Sequence, residues 1–326
     1  MRRLSVRSER WPLAAAFVIS RGSKSEAEVV VAEIADGDDR GRGEAVPYSR
    51  YGETTSGVVA QIESVGARIA AGAGRDELQA LLPAGAARNA LDCAFWDLEA
   101  KRAGVRAWTL AGLARLDPVK TCYTISIAEP AEMAEAARAN ARRPMLKLKI
   151  GGADDLAAVE AVRMAAPKAR LVVDANEALS LDDLRRIAPD FARLGVLVVE
   201  QPLPAGGDAI LDGYDSPVPL CADESLHTRA ELASCVGRYA MVNIKLDKAG
   251  GLTEALALVS EARAMGFAIM AGSMVGTSLG IAPALIVAQG AAVADLDGPL
   301  LLARDRDPGL AVTGSLLEPP TAALWG

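Results

Sequence analysis

Two lysines stand two residues apart in LKLKIGG, Lys147 and Lys149, inside an otherwise apolar run. A strand points residues i and i+2 to the same face. Both ammonium groups therefore face one way, against their mutual repulsion. Lysine guarding an exposed sheet edge would explain such a pair standing alone. It does not stand alone. Asp174 in DAN, Glu200 in EQP and Asp223 in ADES follow Lys149 at intervals of 25, 26 and 23 residues, and Lys245 comes 22 residues later. Three converging carboxylates repel one another unless a cation lies among them. All-oxygen ligands suit Mg²⁺, which keeps waters or substrate oxygens as its other ligands. Each carboxylate could instead cap the helix that follows it, but three of them, each beside polar neighbours, argue against that. A lysine is a weak base at its ordinary pKa of about 10.4. A second ammonium, a metal and burial all lower it. Lys147 is thus expected to depress the pKa of Lys149 and to help stabilise an oxyanion. Lys149 and Lys245 would act as opposed bases. Two bases across a divalent cation suit removal of a proton α to a carboxylate and its return from the opposite face.

These residues must be positioned by repeated elements. From about residue 119, β-rich runs alternate with helical ones: VKTCYTISIA, PMLKLKI, RLVVDAN, VLVVEQP, PLCADES, MVNIKLD, FAIMAGS and VADLDG. Ser180 with Asp183 and Thr228 with Glu231 read as capping boxes, and Gly195 and Gly266 as helix ends. One polar residue closes most strands, and the last interval, Lys245 to Asp295, is 50 residues, or two units. That spacing predicts an α/β fold, a (β/α) barrel with its chemistry at the C-terminal strand ends. A doubly wound open sheet has the same alternation; eight units favour closure. Residues 1–115 differ in texture. SEAEVVVAEIADG reads as a strand, and ARNALDCAFWDLEAKRAG as a helix whose Leu91, Ala94, Phe95 and Leu98 repeat at core spacing. The expected division is an α+β capping domain over 1–115, a barrel over 116–300, and a segment 301–326 returning to the cap.

Bulk properties limit the function classes. The chain has 326 residues, 51% hydrophobic content, mean hydropathy +0.19, net charge −7 and pI about 5.0. It can bury a large core, and it lacks the basic tract of a nucleic-acid binder. Cys93, Cys122, Cys221 and Cys235 lie far apart, without CxxC, and read as buried thiols in a reducing compartment. Arg2 and Arg3 before the apolar run from Trp11 loosely imitate a signal peptide. Arg7, Glu9 and Arg10 interrupt it and no AxA site follows, so a first strand is expected. No apolar stretch reaches membrane length, and a cytoplasmic location is expected. The only histidine, His227, reads as structural.

KLK (Lys147 to Lys149), DAN, EQP, ADES and KLDKAGG (Lys245 to Gly251) together resemble the enolase superfamily in its muconate-lactonizing subgroup, for which lysine bases and Mg²⁺ are a known pattern. The resemblance covers nearly the whole chain. It implies a modified (β/α)7β barrel of the TIM type, one Mg²⁺ per subunit held by Asp174, Glu200 and Asp223, and Lys147, Lys149 and Lys245 as the catalytic lysines. ADLDGPLL narrows the likeness. Asp295 and Asp297 are an i, i+2 acidic pair able to face inward together, and they look like the pair with which dipeptide epimerases hold a substrate ammonium. SRGSKSEAEVVV, RYGET, PAGAARNALDCA and CADESLHTR resemble the L-Ala-D/L-Glu epimerases, which serve murein peptide recycling. By matching position, Arg21 would meet a glutamate side-chain carboxylate from a mobile cap loop, with Lys24 a weaker choice. Thr124, Ser126, Ser273 and Met274 would line the site, and Tyr48, Arg50 and Tyr51 would close over it. A small dipeptide is then the implied partner; neither nucleic acid nor membrane is, and a homo-oligomer is compatible with the likeness. Gly276 departs from relatives that carry an acid there. The same scaffold also serves N-acylamino acid racemases, muconate cycloisomerases and o-succinylbenzoate synthases, whose substrates lack an ammonium and would leave the Asp295/Asp297 pair without a partner. A non-catalytic binding protein would be expected to have lost some of these groups, and a phosphate-binding barrel would need a cradle richer than GSMVGTSLG.

Overall fold

The computed structural model describes residues 2–326. Three antiparallel strands open the chain: β1 (Arg3–Ile19), β2 (Gly22–Asp36) and β3 (Asp39–Ala45), in the order β1-β2-β3. The expected first strand is thus present and longer than the apolar run alone. Its pairing with β2 shifts register between Pro12 and Phe17, where proline cannot donate to the ladder and an edge strand tolerates it. In the middle strand Val29, Val30 and Val31 are all fully buried. The helix Ala86–Ala103 packs against β3 and is buried along most of its length. Gly41 and Gly43 permit this closeness: a Cβ on either would stand 2.1 Å from the carbonyl oxygen of Ala94 or Ala90.

Eight parallel strands form the second unit: β5 (Tyr123–Ile125), β6 (Met145–Lys149), β7 (Arg170–Asp174), β8 (Val196–Glu200), β9 (Leu220–Ala222), β10 (Met241–Lys245), β11 (Ala268–Gly272) and β12 (Val293–Asp295), neighbours in chain order. The Cys122 amide donates to Ala294 O at 2.9 Å, and Leu296 N to Thr121 Oγ1 at 2.8 Å, joining the first strand to the last. The result is a barrel rather than a doubly wound sheet. This seam also corrects a boundary. VKTCYTISIA is not one strand but β4 (Val119–Lys120) and β5, because Thr121 and Cys122 turn aside to bond the last strand. Both capping boxes form, Ser180 opening the helix Leu181–Arg193 and Thr228 the turn Arg229–Glu231, and Gly195 and Gly266 adopt positive φ just past helix ends.

One buried apolar residue from each barrel strand, or from just before it, plugs the interior: Cys122, Met145, Val172, Val198, Cys221, Met241, Met270 and Val293. The strand period of two makes the next inward layer Thr124, Lys147, Asp174, Glu200, Asp223, Asn243, Gly272 and Asp295. The polar ring therefore lies directly on an apolar floor.

The chain after Leu301 runs back. β13 (Val312–Thr313) and β14 (Leu316–Leu317) pair antiparallel with each other, and β14 pairs likewise with β4. Trp325 is fully buried and its indole donates to Cys93 O at 3.0 Å, while Arg42 donates to Ala323 O and Leu324 O. All four cysteines are free and buried. No helix among the described residues is long and apolar enough to cross a membrane.

Candidate active site

Strand register sets the ring. Lys149, Asp174 and Glu200 are paired partners across β6, β7 and β8, and Lys245, Gly272 and Asp295 across β10, β11 and β12. Lys149 and Lys245 are four strands apart in an eight-stranded barrel, hence on opposite walls. Both line one cavity of about 350 Å³ at the C-terminal strand ends. Lys147, Asp223, Thr124, Ser273, Met274, Asp295 and Asp297 line it too, and the cap contributes Arg21, Lys24, Tyr48, Arg50 and Tyr51.

Lys147 does face the same way as Lys149, but its charge is compensated. Its Nζ lies 2.9 Å from Asp174 Oδ2, 2.6 Å from Glu200 Oε2 and 2.6 Å from Asp295 Oδ2. Burial alone would lower its pKa; Asp174, Asp295 and Glu200 outweigh that and hold it well above the usual lysine range. It is therefore a neutraliser of three acids, not the uncompensated neighbour of Lys149 that the spacing suggested. Lys149 Nζ is 2.6 Å from Asp174 Oδ2, with the Phe17 ring 5.8 Å away. Lys245 Nζ is 2.6 Å from Asp223 Oδ2. Burial lowers its pKa too, but Asp223 and Glu200 raise it well above the ordinary value, opposite to the lowering expected. Burial opposes ionisation of Asp174 as well, and Lys147 and Lys149 reverse this and hold its pKa low; burial and Asp174 push Glu200 up to about 8.

Ammonium groups lie between the three acids that the resemblance implies as cation ligands: Lys147 bridges Asp174 and Glu200, and Lys245 and Lys248 hold the two oxygens of Asp223. The donor set still fits a hard divalent cation. All three are carboxylates at the ends of successive strands, and Glu200 Oε2 is buried and accepts no hydrogen bond beyond its ion pair with Lys147. The ammonium groups occupy the region where positive charge is required.

Asp295 and Asp297 both reach the cavity, with different surroundings. Asp295 accepts from Cys122 Sγ at 3.0 Å and pairs with Lys147, so it is not left without a partner when no ammonium is bound. Asp297 accepts the Thr124 amide at 2.6 Å and does not cap the turn that follows it. Burial and the charge of Asp295 push Asp297 up to about 7. Ser126 departs from expectation: its Oγ accepts from Val18 N of the cap strand, and it does not line the cavity. Arg21 is at the cavity, but its donors are engaged by Asn176 O, Glu177, Tyr48 Oη and Glu224. Arg50 holds Glu177 through two bonds of 2.8 Å, Lys24 lies over the Tyr48 ring, and His227 packs edge-on against Tyr51.

Several residues carry the site without having been assigned from sequence. Gln201 Oε1 accepts the amides of Asp223 and Ser225, placing the third acid from the neighbouring strand. Lys248 fixes Asp223 from the far side, and Asn243 donates to Glu200 Oε1 at 2.7 Å. Asn176 and Glu224 form part of the wall. The stretches EQP, MVNIKLD, KLDKAGG, DAN and ADES contained these residues, but the partners lie on other strands.

A capped barrel with lysines on opposite walls and three acids between them defines a class of enzyme that moves a proton beside a carboxylate. Residues 129–309 match the enolase C-terminal domain-like family, and residues 1–112 match the mandelate racemase / muconate lactonizing enzyme N-terminal domain. The chain belongs to this family, within the enolase superfamily, and is an isomerase. It is similar to the L-Ala-D/L-Glu epimerase of Escherichia coli, 49% identical over 96% of this chain and 98% of the relative. It is also 44% identical to an N-acetyl-D-glutamate racemase of Pseudoalteromonas, over 91% and 95% of the two chains. A crystal structure of an enolase family member from Agrobacterium tumefaciens, with homology to dipeptide epimerases and bound to sodium and L-Ala-L-Glu, superposes with a TM-score of 0.98 at 53% identity, covering 100% of both chains.

Proposed function

We propose that this chain epimerises dipeptides of the L-Ala-D-Glu and L-Ala-L-Glu type, with one Mg²⁺ per subunit, in the recycling of murein peptides. The observation that carries this reading is the placement of Lys149 and Lys245 on opposite walls of one cavity that also holds Asp295 and Asp297. In it, Asp297, assisted by Asp295, receives the substrate ammonium, and Arg21 exchanges an internal carboxylate for that of the glutamate side chain. One lysine removes the α-proton from one face and the other delivers a proton to the opposite face, which inverts the carbon. Lys147, between three acids, adds positive charge beside the carboxylate on which the enolate develops. Asp174, Glu200 and Asp223 would hold the Mg²⁺, which when bound supplies Lewis-acid stabilisation of that charge. Residues 1–115 supply the specificity loops, 116–300 the proton-transfer groups, and 301–326 complete the cap.

A second reading has its own observation. Lys147 already neutralises Asp295, so the acidic pair does not require an ammonium, and an N-acylated glutamate of the kind named for one relative would leave only Asp297 to be protonated. The deciding experiment is proton NMR in D₂O with Mg²⁺ and, separately, L-Ala-L-Glu, L-Ala-D-Glu and N-acetylglutamate. Loss of the glutamate α-proton from both dipeptides with interconversion is the expected result. Exchange without interconversion would refute the two-base scheme, and turnover of N-acetylglutamate alone would transfer the assignment to the second reading.

A further inference from the structure

Among the described residues, five buried side-chain atoms accept or donate no hydrogen bond; Glu200 Oε2 has the Lys147 ammonium at 2.6 Å, and three of the others are oxygens in the same region: Asn243 Oδ1, Asn176 Oδ1 and Glu224 Oε2. Buried polar atoms rarely go unpaired, and a set made only of acceptors calls for a partner that brings hydrogens or positive charge. Asn176 and Glu224 line the cavity, each only 5% exposed. The Asn176 amide is oriented by its own contacts. Nδ2 donates to Glu224 Oε1 at 3.3 Å, which turns Oδ1 away, and its backbone N–H donates to Asp174 Oδ1 at 2.9 Å. Glu224 Oε1 also accepts from Arg21 at 2.7 Å, leaving Oε2 free, and Glu224 directly follows Asp223. The two free oxygens thus flank two of the three carboxylates read above as cation ligands.

We propose that Asn176 and Glu224 are positioning residues that accept hydrogen bonds from water molecules in the shell of the divalent cation held by Asp174, Glu200 and Asp223. The inference rests on the Mg²⁺ reading above. Mg²⁺ dehydrates reluctantly and keeps several waters, and such waters are strong O–H donors. A substrate ammonium is the weaker alternative, because Asp295 and Asp297 draw it to β12, on the side of the barrel opposite β8, while Asn176 and Glu224 follow the strands β7 and β9 that flank β8. Asn176 also stands at φ +42°, a left-handed conformation that asparagine tolerates better than most residues.

The test is Mg²⁺ titration calorimetry on the full chain, with water-proton relaxation of the Mn²⁺-loaded protein as a second readout. Glu224→Gln keeps the shape and replaces the free acceptor with a donor; Asn176→Gly removes the acceptor and accepts the backbone. Each is expected to weaken Mg²⁺ binding roughly 10–100-fold, the range seen when outer partners of metal ligands are lost, and to change the relaxation of water on Mn²⁺. If both acceptor variants bind Mg²⁺ like the unmodified chain, the proposal is overturned and the Mg²⁺ reading stands. The same holds if only dipeptide affinity falls, which would assign the oxygens to a substrate N–H. If the unmodified chain does not bind Mg²⁺, or Asp174→Asn binds it equally well, the Mg²⁺ reading fails and takes this proposal with it. Should Asn176→Gly not fold, the isosteric Glu224→Gln decides alone.

Discussion

Asp295 and Asp297 are two residues apart, yet only one of them has a cation for a partner. Lys147 neutralises Asp295, whereas burial and the repulsion of Asp295 outweigh the stabilising Thr124 amide at Asp297 and raise it to about 7. Below that pH Asp297 holds a proton and offers an ammonium no charge. Above it the carboxylate forms and the ammonium can pair with it. KM for an ammonium-bearing dipeptide is therefore expected to fall as pH rises through about 7. Asp297→Asn should abolish that dependence and raise KM roughly 10–100-fold, the equivalent of one charge-assisted hydrogen bond. Initial rates over a pH series bracketing that value, for both proteins, check this. A KM that is flat in the unmodified chain would remove Asp297 from the ammonium site.

At the scale of elements, two buried carboxylates fasten the cap to the barrel. Glu44 on β3 is fully buried and accepts from Thr277 N at 2.8 Å and from Arg306 Nη2 at 2.6 Å. Its Oε1 lies 3.0 Å from where a Cβ on Gly276 would stand. The loop after β11, whose Ser273, Met274 and Val275 line the cavity, is thereby held by the cap and by the returning C-terminal segment together. Arg306→Met would leave Glu44 buried without its counter-charge, and a loss of about 3–5 kcal/mol in urea unfolding is expected. Asp247, in the KLDKAGG turn, accepts Val46 N at 3.0 Å and Asn89 Nδ2 at 2.8 Å, and burial raises it to about 7. Since its folded pKa lies above the unfolded value, the folded state binds the extra proton. The contribution of this group to stability is greatest below about pH 4, falls as pH rises towards 7 and is level above it. The fall is about 4 kcal/mol, because each tenfold difference in proton affinity between the folded and unfolded chains is worth about 1.4 kcal/mol. Asp247→Asn keeps both acceptor bonds and cannot ionise, so it should be the more stable protein at pH 8 in denaturant titrations, with the difference absent at low pH.

Across the whole molecule, what could be read in advance was whatever the strand period displays locally. Met145-x-Lys147-x-Lys149, Val172-x-Asp174-x-Asn176 and Val293-x-Asp295-x-Asp297 each place a floor residue and two polar layers on one face, which is why the ring and the opposed lysines were legible. Contacts between distant segments were not. Glu44 meets Arg306 across 262 residues, Arg21 meets Glu224 across 203, and Ser126 serves a cap strand rather than the cavity. Likewise the lysines' compensation by carboxylates depends on which strands are neighbours around a closed barrel, which no single strand reveals. The C-terminus is the plainest case. Nothing in TAALWG announces a core residue, yet Trp325 is fully buried, its indole bonds to Cys93 O, and the next amide, Gly326 N, donates to Asp97 at 2.7 Å. These bonds tie the chain's end to the helix Ala86–Ala103, on which β3 also packs. Trp325→Ala opens a cavity under that helix and leaves a carbonyl unpaired, and about 3–5 kcal/mol of stability should be lost. Because the ring residues lie in the barrel, the loss should show first as faster amide hydrogen exchange in the helix and in β3, with the barrel strands following only at global unfolding. Equal acceleration in cap and barrel would mean that the two unfold as one unit and that the C-terminal tie holds the whole molecule, not the cap alone.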